Sequence, residues 1–414
     1  RAQQTEAIAQ YETAIFETQE ALQTLERQLS KDYPHYQAWQ QEPHKNLTLD
    51  LVQKTLHKDQ VLVEYLLTDS LCLIWYIDAR QTALVHVDAY RPQVLKKDVD
   101  LLHSSFSDVY RTERDSSLKA RWIKKAYRFY QNYVQHPMLE GKQSLIVIPD
   151  QGLYYIPFEA LLTASVSPTT SYKALPYLLK QYAVHYHYSA SLLDYAMQQQ
   201  ALSSGKILGF AASYGSQNDY QTLSLALQQV RSYEEVQTLE ELSSLERQYK
   251  CHFFEYEAAN ERMFKSEFNS SEFGVVHLAM HGLVDYREPA YSSLVFTENL
   301  DELEDNLLYA YEIQHLQGQE VNLVVLSACK TGYGRYAKGE GIISLGRSFM
   351  QAGAPSVVMT LWEINDASTA DLMVLFYEGL ANGLPKNEAL RQAKLAYNNV
   401  LTDLVDNPFF WASA

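Results

Sequence analysis

The chain has 414 residues, 47% of them hydrophobic and 20% charged, enough for two or three ordinary domains of roughly 100–200 residues each. Its net charge of −16 would repel a phosphate backbone, whose binding needs clustered Lys and Arg. Nucleic acid and anionic membrane are thereby poor direct partners, and no apolar run approaches the ~20 residues needed to span a bilayer. The three cysteines, Cys72, Cys251 and Cys329, are odd in number and widely spaced, which excludes a disulfide framework and favours a cytoplasmic setting.

The N-terminus lacks both an initiator Met and a signal-peptide pattern, and reads as a piece cut from a longer chain. Residues 5–30 space Ile8, Tyr11, Ile15, Leu22, Leu25 and Leu29 near a helical period, and Pro34 ends that helix. From Val61 the pattern changes to short β-forming runs, Val61–Leu67, Cys72–Ile77 and Thr82–Val87. A helical stretch over about 94–135 follows. Ser144–Pro149 is then a continuous apolar run, as in a strand covered on both faces. Leu153–Leu161 is expected to lead into a helix, and Thr163–Thr170 is a loop.

The last 210 residues alternate strand and helix. Expected strands are Lys206–Ala211, His252–Tyr256, Gly274–Met280, Asn322–Ser327 and Ser356–Leu361. Expected helices cover 233–249, 260–268, 309–316, 341–352, 367–382 and 386–400. Alternation of this kind predicts a largely parallel sheet with helices on both faces. In such sheets chemistry collects beyond the carboxyl ends of the strands. Two strands end there in reactive residues: Gly274–Met280 runs into His281-Gly282, and Asn322–Ser327 runs into Ala328-Cys329.

A thiolate is a good nucleophile when a neighbour takes its proton, and an imidazole on an adjacent strand can do so. Small residues flank both candidates, letting a substrate backbone approach. The backbone N–H groups of Gly282 and Cys329 could form an oxyanion hole. Cys72 and Cys251, in apolar surroundings, read as inert thiols. A metal site built from His277, His281 and Cys329 is disfavoured, because His residues at i and i+4 of a strand do not converge. No cofactor is expected. Gly332-Tyr-Gly-Arg-Tyr-Ala337 matches a dinucleotide fingerprint only in isolation, without a helix start at the right place.

His277-Leu-Ala-Met-His281-Gly282, Leu326-Ser-Ala-Cys-Lys-Thr-Gly332 and Gly339-Glu-Gly-Ile-Ile-Ser-Leu345 resemble the CHAT domain, a caspase-related family of bacterial cysteine peptidases. Phe349–Ala354, Leu361-Trp362, Ser368–Met373, Phe376-Tyr377, Ile146–Asp150 and Ile156–Leu161 add to the resemblance. It implies an α/β fold, a caspase-hemoglobinase-like α/β/α sandwich with a mostly parallel sheet. A smaller α/β pseudo-protease-like region and an N-terminal helical arm would precede it. The expected domains are 1–58 (the arm, a possible end of a TPR array), 59–200 (pseudo-caspase-like) and 201–414 (catalytic).

The resemblance gives His281 the part of base and Cys329 that of nucleophile, with Trp362, Glu363 and Asp366 as substrate-binding candidates. Asp366 also suits a helix first turn, while Asp150 and Glu159 are further acidic candidates more at home in structural roles. It implies a regulated cysteine endopeptidase in a bacterial defence or cell-death pathway, with a protein substrate and an upstream activator or sensor binding through the arm. The alternative is a catalytically silent protein-interaction scaffold. The 330–340 segment is expected to be a loop that rearranges on activation.

Overall fold

The computed structural model describes residues 24, 27, 47–108, 116–198, 206–214, 250–270, 273–299, 304–318, 320–327, 331–332, 334–337, 341–362, 366–400 and 407–414. The chain divides into two units, Arg1–Leu49 and Asp50–Ala414. In the first, Thr24 and Arg27 are helical; the rest of the expected 5–30 helix lies outside the described residues, as does the expected helix 233–249.

The second unit holds two five-stranded sheets. The first is built from β1 (Gln60–Leu67), β2 (Cys72–Ile77), β3 (Thr82–His86), β4 (Ser144–Ile148) and β5 (Ala183–Tyr186), in the order β3-β2-β1-β4-β5. The hairpin strands pair antiparallel, whereas β1, β4 and β5 run parallel. Every residue of β4 is buried, as its unbroken apolar sequence predicts. Helices α1 (Leu49–Thr55), α2 (Pro92–Ser107) and α3 (Ser116–Tyr133) accompany this sheet. The helical stretch expected over 94–135 is present in the described residues as α2, which ends at Ser107, and α3, which begins at Ser116. Pro92 opens α2 where a missing N–H costs nothing.

Residues 151–160 form two 3-10 turns, Gln151–Tyr155 and Phe158–Ala160, in place of the expected helix. Pro157 is the cause: it holds the residue before it extended, and Ile156 has φ −105° and ψ 121°. After β5, α4 (Ala190–Gln198) leads towards the second sheet.

That sheet contains β6 (Lys206–Ala211), β7 (Lys250–Glu255), β8 (Val275–Ala279), β12 (Leu323–Ser327) and β15 (Val357–Val358), ordered β15-β12-β8-β6-β7 and parallel throughout. Strand alternation sorts its side chains into two cores. Leu208, Phe210, Val276, Leu278, Val324 and Leu326 join a core with α5 (Glu261–Asn269), α6 (Ala310–Ile313) and α7 (Leu345–Gln351). Ile207, Ala211, Ala279, Leu323 and Val325 face the other way, into a core shared with the first sheet. The long helices α8 (Asp366–Ala381) and α9 (Lys386–Val400) contribute Phe376, Tyr377, Ala393 and Tyr397 to it.

A three-stranded antiparallel sheet, β11-β10-β9, is made from β9 (His281–Leu283), β10 (Ser293–Val295) and β11 (Leu307–Tyr309). A further hairpin pairs β13 (Arg335–Ala337) with β14 (Gly341–Ile343). The helix expected over 341–352 thus begins only at Leu345. Ser344 caps it, its hydroxyl accepting from the Arg347 N–H at 3.3 Å.

The last eight residues lock the two sheets together. Trp411 is fully buried, edge-on to Tyr177 at 5.0 Å. The Leu361 N–H donates to the Ser413 carbonyl at 2.9 Å. Lys394, itself buried, donates to the Ala414 carbonyl and to Glu159 at 2.7 Å, while the Tyr186 hydroxyl donates to the other Glu159 oxygen at 2.5 Å. A buried ion pair is costly to break from one side, because the surviving charge loses its partner. Lys394→Met should lower unfolding free energy by about 3–5 kcal/mol in urea titrations, and the double variant Lys394→Met, Glu159→Gln should recover most of that loss.

Candidate functional site

The site is framed by β8 and β12, adjacent and parallel. Their register ends with Ser327 opposite Ala279, and the Met280 N–H reaches back to the Ser327 carbonyl at 3.4 Å. His281 and Cys329 each lie two residues beyond that last matched pair. Cys329 is outside the described residues, as are Lys330 and Glu363. Covalent reach nevertheless holds the Cys329 Cα within about 7 Å of the Ser327 Cα and equally of the Thr331 Cα.

Thr331 and Gly332, just past the cysteine, are both buried and tightly held. The Thr331 hydroxyl accepts from the Thr360 N–H at 3.2 Å, its carbonyl accepts from Gly346 at 3.3 Å, and the Gly332 N–H donates to the Thr360 carbonyl at 2.8 Å. A Cβ on Gly332 would stand 3.1 Å from Met359 Cγ and 3.2 Å from the Thr360 oxygen. That close approach explains the glycine. The cysteine is therefore bracketed, two residues either side, by anchored backbone.

His281 opens β9 and is half-buried. Its backbone N–H donates to the Tyr214 hydroxyl at 2.8 Å, and that hydroxyl donates to the Val295 carbonyl at 2.8 Å. The Tyr214 ring also stacks on the imidazole, with centroids 4.6 Å apart and planes 29° from parallel. Gly282 has a different disposition. Phe296 donates to the Asn306 carbonyl and Ala310 to Ser292, so the even-numbered residues of β10 direct their polar groups at β11. Ser293 and Val295 then face β9, opposite Leu283 and His281. By antiparallel alternation, Gly282, opposite Leu294, turns its N–H and C=O to the outer edge of β9.

His277 is fully buried four residues earlier, with Nδ1 2.9 Å from the Tyr377 hydroxyl. It belongs to the core. Trp362 is only 3% exposed. Its indole N–H donates to the Phe409 carbonyl at 3.0 Å, and its ring packs on Phe106 and His103. The structure thus places this ring among core side chains, with almost no surface to offer a substrate. Asp366 is the first residue of α8, where a carboxylate is favoured by the helix dipole.

Asp150 bridges two segments: one oxygen accepts from the Leu67 N–H at 2.7 Å, the other from the Tyr336 hydroxyl at 2.8 Å. Burial and this bond push the Tyr336 phenol up to about 12. The Tyr155 hydroxyl donates to the Gly334 carbonyl at 2.8 Å, so the hairpin following the cysteine is tied to the first sheet's loop. A Cβ on Gly334 would lie 1.9 Å from the Ile343 oxygen. The close approach of the facing strand accounts for that glycine of the G-x-G-x-x-A match.

Among the described residues, one carboxylate cluster could suit a metal: oxygens of Glu261, Glu304 and Glu312 lie within 4.8 Å of one another. The Lys265 ammonium bonds all three, at 2.7, 2.7 and 2.8 Å, and so supplies the cation itself. Burial foremost raises Glu261 to about 7. The sequence reading missed this cluster, as it missed Tyr214, which sits in a loop 67 residues from His281.

The anchoring of the cysteine segment can be tested at Thr331. Thr331→Val keeps the shape but removes the acceptor of the Thr360 N–H, and should cost about 1–3 kcal/mol of stability. Hydrogen exchange should speed up at Thr360 and leave the β1–β2 hairpin unchanged.

Three comparisons bear on the ancestry of this arrangement. The chain is 35% identical over 91 residues to tetratricopeptide repeat protein 28 of Mus musculus and to its Homo sapiens counterpart, a stretch covering 22% of this chain and 4% of each relative. The chain thus spans a very small part of those proteins' length. In structure it is similar to the separase of the Saccharomyces cerevisiae separase–securin complex, with a TM-score of 0.50 and 10% identity over 88% of this chain and 30% of that one. That likeness concerns the fold, and it agrees with the mixed α/β architecture and parallel sheet expected for a caspase-like chain. The CHAT domain profile matches residues 120–414, well over half the chain, and the protein belongs to the CHAT domain family.

Proposed function

We propose that the protein is a regulated cysteine endopeptidase using His281 and Cys329. The observation carrying this reading is the β8–β12 register, which brings the ends of two neighbouring parallel strands level two residues before the histidine and the cysteine. Adjacent strands lie about 4.8 Å apart, close enough for an imidazole and a thiol to meet.

In the proposed reaction His281 takes the Cys329 thiol proton, and the thiolate attacks the carbonyl carbon of the scissile peptide. The developing oxyanion accepts from the N–H groups of Gly282 and Cys329; the outward turn of the Gly282 amide supports this assignment. The imidazolium then gives its proton to the departing amine. Water, deprotonated by His281, attacks the thioester, releasing the acid and restoring the thiol. Glu363 and Asp366 remain the candidates for recognising the side chain before the cut. Trp362 is assigned to support behind the site, given its burial.

The substrate would be a protein, and a sensor or activator would act through the helical arm, in a cytoplasmic defence or cell-death pathway. No described helix is long and apolar enough to cross a membrane. The ties from Tyr155 and Asp150 to the 334–343 hairpin offer a place for activation to act.

Alkylation rates of the three cysteines against pH test the reading without a known substrate. Cys72, fully buried with its thiol pushed up to about 12 by burial, and half-buried Cys251 serve as controls. Cys329 should react fast below the ordinary thiol pKa of ~8.5 and lose that advantage in His281→Ala. Equal reactivity of Cys329 in both proteins would favour a silent scaffold.

A further inference from the structure

We propose that Tyr214 is a positioning residue for His281, fixing both the backbone and the ring of the histidine; this rests on the peptidase reading above. Three contacts converge on one side chain. The hydroxyl accepts the His281 N–H and donates to Val295, so it is inserted in the rung of the ladder where His281 and Val295 face each other. Above that bridge, the ring lies against the imidazole at 4.6 Å.

The arrangement suits the histidine's task. A base that must take a proton at one atom and return it at another needs a fixed ring orientation, because misplacement by an ångström is costly. The side chain that must be held stands on the first residue of a three-residue strand. Tyr214 restrains it twice, through the peptide group at its root and through the face of its ring. The aromatic face also attracts a cation, and the imidazolium is the form paired with the thiolate. The tyrosine lies three residues beyond the end of β6, two strands across the sheet from the cysteine strand. Three strands of one parallel sheet, β12, β8 and β6, therefore lead into the nucleophile, the base and the residue that holds the base.

The two parts of the contact separate by substitution. Tyr214→Phe keeps the stack and removes the bridge, whereas Tyr214→Ala removes both. The readout is the pH midpoint of Cys329 alkylation, with thermal unfolding as the control for folding. The midpoint should rise by about half a unit in Tyr214→Phe and about one unit in Tyr214→Ala, roughly threefold and tenfold slower reaction below the midpoint. In the His281→Ala background, neither substitution should shift it further.

A lowered unfolding temperature with an unmoved midpoint in both Tyr214 variants would overturn the proposal and leave the peptidase reading intact. A wild-type Cys329 no more reactive than Cys251, and indifferent to His281→Ala, would overturn both. Retention of the wild-type midpoint in Tyr214→Phe alone would assign the effect to the ring and refute the part given to the hydroxyl bridge.

Discussion

The fold turns on the pairing of β8 with β12 in parallel, in a register that leaves Ala279 opposite Ser327. Parallel pairing makes both strands finish on the same edge of the sheet, and the register makes them finish level. A slip by one residue would send every side chain of a strand to the opposite face, putting Val276 and Leu278 into the wrong core. The hydrophobic pattern that sorts these strands between two cores therefore also fixes where the histidine and cysteine emerge. Packing and chemistry are set by the same alternation.

Around that edge, separate pieces of chain hold the approaches to the cysteine. Thr331, Gly332 and Thr360 fasten the segment after it, and the buried C-terminal residues Trp411 to Ser413 fasten β15's continuation through the Ser413 carbonyl. The first sheet contributes Tyr155 and Asp150, which hold the hairpin beyond the cysteine. The region expected to be pseudo-protease-like is thus in contact with the site's surroundings. Of its ties to the hairpin, the neutral Tyr155–Gly334 hydrogen bond can be broken at a cost of about 0.5–1.5 kcal/mol, and the Tyr336–Asp150 bond, accepted by a carboxylate, at about 1.5–3 kcal/mol.

Much of this was legible in the sequence. Mostly apolar runs marked β4, β6, β8 and β12, because strands covered on both faces are largely apolar, and the motifs at 281 and 329 stood beyond the ends of β8 and β12. The failures have local causes. Pro157 cut short the helix expected after Gly152, and Ser344, by capping α7, left Gly341–Ile343 to a hairpin. Strands β9, β10 and β11 have three residues each, too short for alternation to show. Trp362 looked like a pocket wall because of its place in a motif, whereas its surroundings come from α2 and the C-terminal segment, both remote in sequence. Tyr214 carried no signal at all, being one of 31 tyrosines and distinguished only by what the sheet brings next to it.

The central claim is that Cys329 and His281 are neighbours at the ends of β12 and β8. A disulfide forms only when the Cα atoms lie about 4.4–6.8 Å apart, so His281→Cys turns that claim into a covalent measurement. Mild oxidation of the variant, followed by peptide mass spectrometry, should give a single intrachain bridge between positions 281 and 329, with Cys72 and Cys251 left as thiols. Failure of those two positions to bridge, in a variant that unfolds at the wild-type temperature, would contradict the account.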